Sequence, residues 1–311
     1  MPDARPDVDL GDHPARQSPR SARGTAQGSR PCRIRQMGER GTRVIAFVAA
    51  HPDDDVMGAA GYMALNRDDP ELRFVLIHAT DGDAGEIAPG SRATRETLGS
   101  VRRREDESGW RSVGRMPDRL EWFGLPDGGL GDLPVGQLES MISDVFGLER
   151  PDIVMTFGPD GITGHPDHVA VGAAASAAFL RFAGRGGPGF RRLFHGAYPQ
   201  SALDRVNARR VGEGRVPFDP TQVYQPRGVP DRDIACSVDL RSLVPVVTAA
   251  FREHRSQWVA PWAEHSERDW VSSAGALHMV QAWPPRPSGA ARLSDPFQGL
   301  TTDRSIPRFD H

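Results

Sequence analysis

The sequence contains no lysine, so all 38 of its basic side chains are arginine. Together with abundant alanine, glycine and proline, this bias is typical of codon usage in a GC-rich genome, and we give it no mechanistic weight. The formal net charge is only −3 over 311 residues. Such a small charge gives no reason to expect nucleic acid or an acidic membrane surface as a partner.

Cysteine and long apolar runs are also scarce. Cys32 and Cys236 are the two cysteines, and neither belongs to a CxxC or CxxH pattern, which argues against zinc-finger and dithiol redox classes and predicts two unpaired thiols. No apolar stretch approaches the roughly 20 residues that cross a bilayer. The N-terminal arginines lack the apolar core of a signal peptide. We therefore expect a soluble cytoplasmic protein.

The pattern of the chain predicts one α/β domain between two irregular tails. Residues 1–42 are rich in Arg, Pro, Ser and Gly without apolar periodicity, which indicates a disordered or poorly ordered tail. Over residues 43–285 strand-like runs alternate with helical patterns, which predicts a Rossmann-like, doubly wound, mostly parallel sheet with loop-rich C-terminal additions. Residues 286–311 are expected to form an irregular C-terminal tail.

The apolar patterns also place individual elements. Strands are predicted at residues 44–50, 73–79, 120–124, 152–157, 193–198 and 233–238. Helices are predicted at residues 56–65, 92–113, 134–149, from Pro166 onward, and at 240–258 with a kink near Pro245. The chain after Phe182 is rich in Gly, Pro and Arg and is the hardest part to interpret.

Two polar clusters follow predicted strands. The first, Ala50–Asp55, has the sequence AHPDDD and contains one histidine and three aspartates. The second, Gly164–His168, has the sequence GHPDH. Both precede predicted helices, and in an open parallel sheet ligands bind at this carboxyl edge. Residues far apart in sequence are therefore expected to share one metal there.

Residue types and spacing predict the chemistry of this site. Two imidazoles and one carboxylate are a common catalytic zinc set, which leaves a position open for water. A bound ion lowers the pKa of that water and polarises a carbonyl, and a carboxylate that is not a ligand can accept the proton. Asp53 is the candidate base because it adjoins Asp54. Each cluster alone could instead be an ordinary helix start capped by aspartate.

The two clusters resemble the paired signatures of the LmbE/PIG-L family of N-acetylglucosaminyl deacetylases. The resemblance extends to the TDGDAGE segment at residues 80–86, to a helix that contains Arg102 and Glu105, and to the LPDG segment at residues 125–128. It covers residues 43 to about 200, and more weakly the HRSQ segment at residues 254–257. The family implies a hydrolase that uses zinc, or another divalent metal such as Fe²⁺, to remove acyl groups from amino sugars and related amides.

The resemblance assigns roles residue by residue. His51, Asp54 and His168 match the metal ligands, with one ion per chain. Asp53 matches the general base, and His165 matches the histidine that assists at the oxyanion or the leaving group.

Two further positions, Arg102 and Asp127, fall where the family often contacts substrate. The competing interpretations are a surface ion pair of Arg102 with Glu105 or Asp106, and simple turn formation at Asp127.

One position departs from the family pattern. Asp55 stands where the family usually has glutamate. We expect its shorter side chain to support the metal ligands without binding the metal itself. The LPDGG turn at residues 125–129 also does not resemble the corresponding segment of mycothiol-pathway members, which disfavours a mycothiol precursor or conjugate as substrate. His78, His195 and His254 are expected to be ordinary core or surface histidines, and Trp258, Trp262 and Trp270 to pack as aromatic core or to line a pocket.

Three functions therefore compete. The first is a zinc-dependent N-deacetylase that acts on a small-molecule N-acyl amino sugar or glycoconjugate. The second is another metallo-hydrolase, such as a phosphoesterase with two metals. The third is a non-catalytic binding protein on the same fold. The sequence leaves the exact substrate, the metal and the formation of a homo-oligomer open.

Overall fold

The computed structural model describes residues 43–259, 266–287 and 289–301. The predicted tail at residues 1–42, together with Cys32 and Trp262, lies outside the described residues, as do residues 302–311 of the predicted C-terminal tail. The part of the tail that is described contains no helix or strand.

The strands are β1 (Arg43–Ala49), β2 (Leu72–Thr80), β3 (Arg119–Leu125), β4 (Ile153–Phe157), β5 (Arg192–Gly196), β6 (Tyr198–Pro199), β7 (Gly228–Val229), β8 (Cys236–Asp239) and β9 (Ala276–Trp283). The helices are α1 (Gly61–Leu65), α2 (Leu98–Val113), α3 (Gln137–Glu149), α4 (Gly161–Gly164), α5 (Pro166–Phe182), α6 (Gln200–Gly212), α7 (Val244–Arg252) and α8 (Glu267–Ala274). A π-helical turn, Val56–Ala60, leads into α1, and short 3-10 turns lie at Leu130–Asp132, Asp231–Asp233, Arg241–Leu243 and Arg255–Gln257.

Seven strands form one sheet in the order β3-β2-β1-β4-β5-β9-β8. Strands β1 to β5 pair in parallel, and β9 runs antiparallel to both β5 and β8. This arrangement confirms the predicted α/β class with a mostly parallel sheet. Strands β6 and β7 form a separate parallel pair.

The two faces of the sheet bury two hydrophobic clusters because side chains alternate along each strand. On β1, Ile45, Phe47 and Ala49 belong to one cluster, and their neighbours Val44, Ala46 and Val48 belong to the other. Helices α2 and α7 cover the first face, and α3 and α5 cover the second. Burial on both faces explains why the sequence of β1 is a nearly continuous apolar run.

Two helices have different bounds in the structure from those predicted from the sequence. The helix predicted at residues 92–113 starts at Leu98, because Thr94 and Thr97 close a turn in which the Thr97 hydroxyl accepts the Thr94 N–H at 2.9 Å. The helix predicted at 240–258 is only α7, and Pro245 lies in its first turn instead of kinking it. Strand β9 was not predicted.

No helix among the described residues combines the length and the apolar character needed to cross a bilayer.

Candidate active site

The two motif-bearing loops meet where the strand order of the sheet reverses. From β1 the chain crosses to β2 on one side, and the neighbouring β4 leads to β5 on the other side. A crevice opens at such a point, beyond the carboxyl ends of the strands. The loop after β1 and the loop after β4 therefore place the two predicted clusters side by side.

Asp54 is fixed at the centre of the site by backbone hydrogen bonds. Its Oδ2 atom accepts the N–H groups of His51 at 2.8 Å and Ala50 at 3.2 Å. The carboxylate also lies 3.4 Å from His51 Nδ1 and 3.2 Å from His168 Nε2. Burial alone would raise the pKa of this carboxyl, but the two imidazoles outweigh burial and hold the pKa well below its usual range.

Both imidazoles are oriented as metal-bound histidines are. His168 Nδ1 lies 3.0 Å from the carbonyl oxygen of Gly161, so its Nε2 faces Asp54. His51 Nε2 lies 3.0 Å from Asp127 and 3.3 Å from Asp167, so its Nδ1 faces Asp54. A histidine that binds a metal through one nitrogen usually donates the N–H of the other to a carbonyl or carboxylate.

The donor set fits a divalent cation. His51, Asp54 and His168 each offer one ligand atom, and these atoms lie within 4.8 Å of one another. Two nitrogens and one carboxylate oxygen are an ordinary catalytic zinc set, with a fourth position open.

A second grouping, of His51, His165 and Asp167, shares His51 with the first. Its other atoms are already engaged in hydrogen bonds. The Asp167 carboxylate accepts the N–H groups of Gly128 at 2.7 Å and Leu130 at 3.1 Å, and His165 Nδ1 accepts the N–H of Asp167 at 3.1 Å. These bonds hold Asp167 and His165 in fixed orientations beside His51.

Asp53 combines a strained backbone with a carboxyl group whose pKa is raised. Its backbone has a φ of 108°, a region that non-glycine residues avoid and that is enriched at functional sites. Its carboxylate accepts a hydrogen bond from Arg102 Nη2 at 3.1 Å and keeps about a quarter of its surface exposed (24%). Loss of solvation raises the pKa of Asp53 to about 7, although Arg102 opposes this shift.

His165 is held as a neutral donor. Because its Nδ1 accepts the Asp167 N–H, the proton of the neutral ring lies on Nε2. Burial and the neighbouring His51 and His168 lower the pKa of His165 to about 4. Its ring stacks on His168, with centroids 4.7 Å apart.

The predicted substrate residue Asp127 lies inside the site. One oxygen lies 3.0 Å from His51 Nε2, and the other accepts the N–H of Ala84 at 2.8 Å. These contacts hold the pKa of Asp127 at about 2, although burial alone would raise it. Asp127 thus orients His51, and its contact with substrate stays a prediction.

Arg102 is buried, unlike the surface ion pair considered from the sequence. Its guanidinium donates to the carbonyl oxygens of Pro52 at 2.5 Å and Gly82 at 2.8 Å as well as to Asp53. It therefore joins the loop after β1 to the loop after β2. Its predicted contact with substrate also stays a prediction.

Sequence reasoning missed Asp167 as a residue that supports the site. It is fully buried, orients His51 and holds the turn at Gly128–Leu130. The only signal was its place between His165 and His168, where the sequence alone suggested a helix start.

Asp55 supports the first loop through side chains that are distant in sequence. Its Oδ2 accepts the Trp110 indole N–H at 2.6 Å, and its Oδ1 accepts the backbone N–H of Asp53 at 3.1 Å and lies 3.2 Å from His78 Nε2. Together with Asp106, these groups are almost completely excluded from solvent. The side chains of Trp110 and His78 thus reach the carboxylate of Asp55 although aspartate is shorter than glutamate.

Each of the other histidine and aromatic candidates among the described residues contacts another side chain. His78, expected to be a core or edge residue, is buried and stacks on Trp122, with centroids 4.1 Å apart. His195 Nε2 lies 2.9 Å from the Ser176 hydroxyl, and His254 is buried. Trp258 and Trp270 stack with centroids 6.2 Å apart, as expected of an aromatic core.

Comparison with known proteins finds relatives that are named as deacetylases. The model of the PIG-L family, described as GlcNAc-PI de-N-acetylase, matches residues 46–179. A 1D-myo-inositol 2-acetamido-2-deoxy-alpha-D-glucopyranoside deacetylase from Saccharomonospora viridis is 32% identical over 68% of this chain and 84% of its own length. A protein of the same name from Thermomonospora curvata is 28% identical over 83% of this chain and 97% of its own length.

Solved structures share the fold at lower identity. The N,N'-diacetylchitobiose deacetylase from Pyrococcus horikoshii is 19% identical, with a TM-score of 0.53 over 77% of this chain and 83% of its own. GalB, the 4-carboxy-2-hydroxymuconate hydratase from Pseudomonas putida KT2440, is 16% identical, with a TM-score of 0.54 over 80% of this chain and all of its own. The fold therefore carries more than one reaction. The sequence match to the deacetylases and the family model together show that this chain belongs to the PIG-L family.

Proposed function

We propose that this protein is a metal-dependent N-deacetylase that hydrolyses the acetamido group of an amino sugar or glycoconjugate. The observation that carries the proposal is the convergence of His51 Nδ1, the Asp54 carboxylate and His168 Nε2 beside the strained Asp53. The PIG-L relatives named as deacetylases of acetylated sugars support the same reaction.

His51, Asp54 and His168 would hold one zinc ion, or another divalent cation such as Fe²⁺. A cation in such a set supplies Lewis acidity, which lowers the pKa of water and polarises an acyl carbonyl. Asp127, Asp167 and the Gly161 carbonyl fix the two imidazoles, so no reorientation is needed when the cation binds.

Asp53 would then move the proton. Its carboxylate keeps about a quarter of its surface exposed (24%), and a pKa of about 7 suits a group that must both accept and release a proton near neutral pH. It takes a proton from the attacking water as the C–O bond forms. It returns the proton to the amide nitrogen as the C–N bond breaks, which yields a free amine and a carboxylate.

His165 would stabilise the charge that develops on the acyl oxygen. A neutral ring that donates from Nε2 is suited to this task, because it provides a fixed hydrogen bond without carrying a charge in the ground state. Its stacking on His168 keeps the ring next to the ligand set.

An acetylated glucosaminyl inositol is the first compound to test as substrate, because the relatives that match most of this chain are named for it. That is the kind of compound that the 125–129 turn disfavoured on sequence grounds. That expectation stays a prediction, because the contact of Asp127 with His51 does not decide which sugar is bound.

The experiment is amine release from an acetylated glucosaminyl inositol and N-acetylglucosamine, with native protein and with the Asp53→Asn variant. We expect amine release by the native protein and a loss of about 10²–10⁴-fold in kcat for the variant. The matched control is Asp83→Asn, on the neighbouring exposed loop. Unchanged rates in Asp53→Asn with folding and metal content preserved would contradict the proposed mechanism.

A further inference from the structure

A separate group of metal-binding side chains lies next to the loop after β1. Asp55 on that loop, His78 on β2 and Asp106 on α2 each offer one ligand atom, and these atoms lie within 4.8 Å of one another. None of the three belongs to the ligand set of the candidate active site. All three are completely buried, with 0% of their surface exposed. We call this group the buried set.

The spacing of the buried set suits a single cation. His78 Nε2 lies 3.2 Å from the Asp55 carboxylate and 3.7 Å from the Asp106 carboxylate. Ligand atoms that surround a zinc ion tetrahedrally at about 2.0–2.2 Å are about 3.3–3.6 Å apart. One imidazole nitrogen therefore faces two carboxylates at separations close to those that one bound ion imposes.

The two carboxyl groups of the buried set differ in their partners. Asp55 accepts hydrogen bonds from the Trp110 indole at 2.6 Å and from the Asp53 backbone N–H at 3.1 Å, which are usual outer contacts of a metal-bound carboxylate. Asp106 has no hydrogen-bond partner at either oxygen within the described part of the chain. A buried polar group without a partner costs free energy, which a bound ligand offsets.

The charge of the buried set also suits a cation. Burial and the neighbouring Asp55 raise the pKa of Asp106 well above its usual range, because two carboxylates so close together cannot both stay charged without compensation. A divalent cation supplies that compensation and displaces the proton from Asp106 as it binds.

A further imidazole lies in the same buried region. His254 is completely buried, and neither of its ring nitrogens has a hydrogen-bond partner among the described residues. A Cβ on Gly109, three residues after Asp106 on α2, would lie 3.4 Å from His254 Nε2. Burial lowers the pKa of His254 to about 4, and the Asp55 charge opposes this shift. The neutral ring is the form that binds metals, so His254 is an observation independent of the carboxylates that points to a ligand here.

The buried set differs from the active site in its exposure. The side chains of His51, Asp54 and His168 each keep 9–12% of their surface exposed, whereas those of the buried set keep none. Structural metal sites are closed, and catalytic sites keep one position open. A closed site takes up its ion as the chain folds, so chelation of the folded protein should empty only the active site.

We propose that Asp55, His78 and Asp106 form a second, structural site for a divalent cation such as Zn²⁺. The ion ties together β2, α2 and the loop after β1. Because Asp55 accepts the backbone N–H of Asp53, the ion also fixes the loop that carries the proposed base. The inference concerns metal content and folding, and it goes beyond the proposed reaction.

The test counts zinc in a protein whose active-site ligands have been removed. The full-length His51→Ala/His168→Ala chain, without a histidine tag, is produced in zinc-supplemented medium, dialysed against chelator and analysed by mass spectrometry. We expect it to keep about one zinc ion per chain. Adding Asp106→Asn, which preserves the shape of the side chain, should abolish this retention. The matched control adds Glu107→Gln instead, at the next residue of α2, whose side chain is 44% exposed, and should keep the zinc.

Crystallography decides the case in which the Asp106→Asn chain does not fold. Anomalous diffraction at the zinc absorption edge, from crystals of the native protein, should show a peak between Asp55, His78 and Asp106. The proposal is wrong if that peak is missing, if the chelator-treated double variant holds no zinc, or if Asp106→Asn leaves its zinc content unchanged.

None of these measurements depends on catalysis. If the native protein releases no amine while the double variant keeps its zinc, the second site stands and the proposed function fails. If the native protein releases amine while the double variant holds no zinc, the proposed function stands and the second site fails.

Discussion

At the scale of single residues, the position of Asp53 depends on side chains that are remote in sequence. A non-glycine residue keeps a φ of 108° only where its neighbours impose it. Asp55 accepts its N–H, and Arg102 donates to its carboxylate. Asp55 is in turn held by Trp110 on α2. The geometry of the proposed base is therefore set by a buried hydrogen-bond chain that reaches α2.

Replacing Trp110 with phenylalanine tests this chain. The variant keeps most of the packing against Phe74 but removes the hydrogen-bond donor to the buried Asp55 carboxylate. We therefore expect the free energy of unfolding to fall by about 1–3 kcal/mol. Because Asp55 orients Asp53, kcat should also fall while KM changes little. Chemical denaturation and steady-state kinetics measure both. Trp283→Phe on β9 is the control for loss of a tryptophan, and an unchanged kcat in Trp110→Phe would contradict the positioning role.

At the scale of elements, the placement of α5 on β4 decides where His168 lies. The helix starts at Pro166, directly after His165, and its first turn carries Asp167 and His168. Proline in the first turn suits this start because its missing N–H has no partner to lose there. Gly172, two turns later, packs against the carbonyl of Phe157 at the end of β4. The site therefore depends on this close helix–strand contact.

Gly172→Ala should move α5 away from β4. An added Cβ would collide with the Phe157 carbonyl, which is backbone and cannot rotate away. We expect a loss of about 1–3 kcal/mol in unfolding free energy and weaker metal binding. Gly147→Ala on α3 is the matched control, because its Cβ would meet nothing closer than 3.8 Å and should stabilise the helix by up to about 1 kcal/mol. Equal effects of the two substitutions would refute the contact argument.

Local sequence pattern was sufficient for the elements that carry the motifs. The strands β1 and β4 are apolar runs, and each ends in a contiguous polar cluster, so both site loops could be predicted. The placement of residues 224–229 could not be predicted, because it depends on hydrogen bonds from the backbone N–H groups of Tyr224 and Arg227 to the carbonyls of Thr163 and Ile162. The same holds for Trp110, whose distance from Asp55 in sequence is 55 residues. Contacts of this kind follow from tertiary packing and leave no local pattern.

At the scale of the whole molecule, charge pairs tie the edge of the sheet to the helix layer. Glu149 at the end of α3 accepts hydrogen bonds from Arg73 on β2 at 2.7 Å and from Arg119 on β3 at 3.4 Å. Burial alone would raise the pKa of Glu149, but the two arginines outweigh it and lower the pKa. A carboxylate with a lowered pKa stabilises the folded state at neutral pH and loses that effect in acid.

Glu149→Gln should therefore show a pH-dependent loss of stability. The native protein is expected to be more stable than the variant by about 1–3 kcal/mol above the ordinary glutamate pKa of about 4.3. The difference should shrink as pH falls below that value, because the unfolded chain then binds a proton at Glu149 more readily than the folded protein does. Urea denaturation at pH 7 and at successive lower pH values measures it. A difference that stays constant with pH would contradict the assignment.

The central claim is that His51, Asp54 and His168 hold one divalent cation used in amide hydrolysis. The most direct measurement strips the protein with chelator and titrates it with Zn²⁺, following bound metal and amine release from an acetylated amino sugar together. We predict no release without metal and a linear rise that ends at one equivalent per chain. Full release by the stripped protein, or a requirement for two equivalents, would contradict the claim.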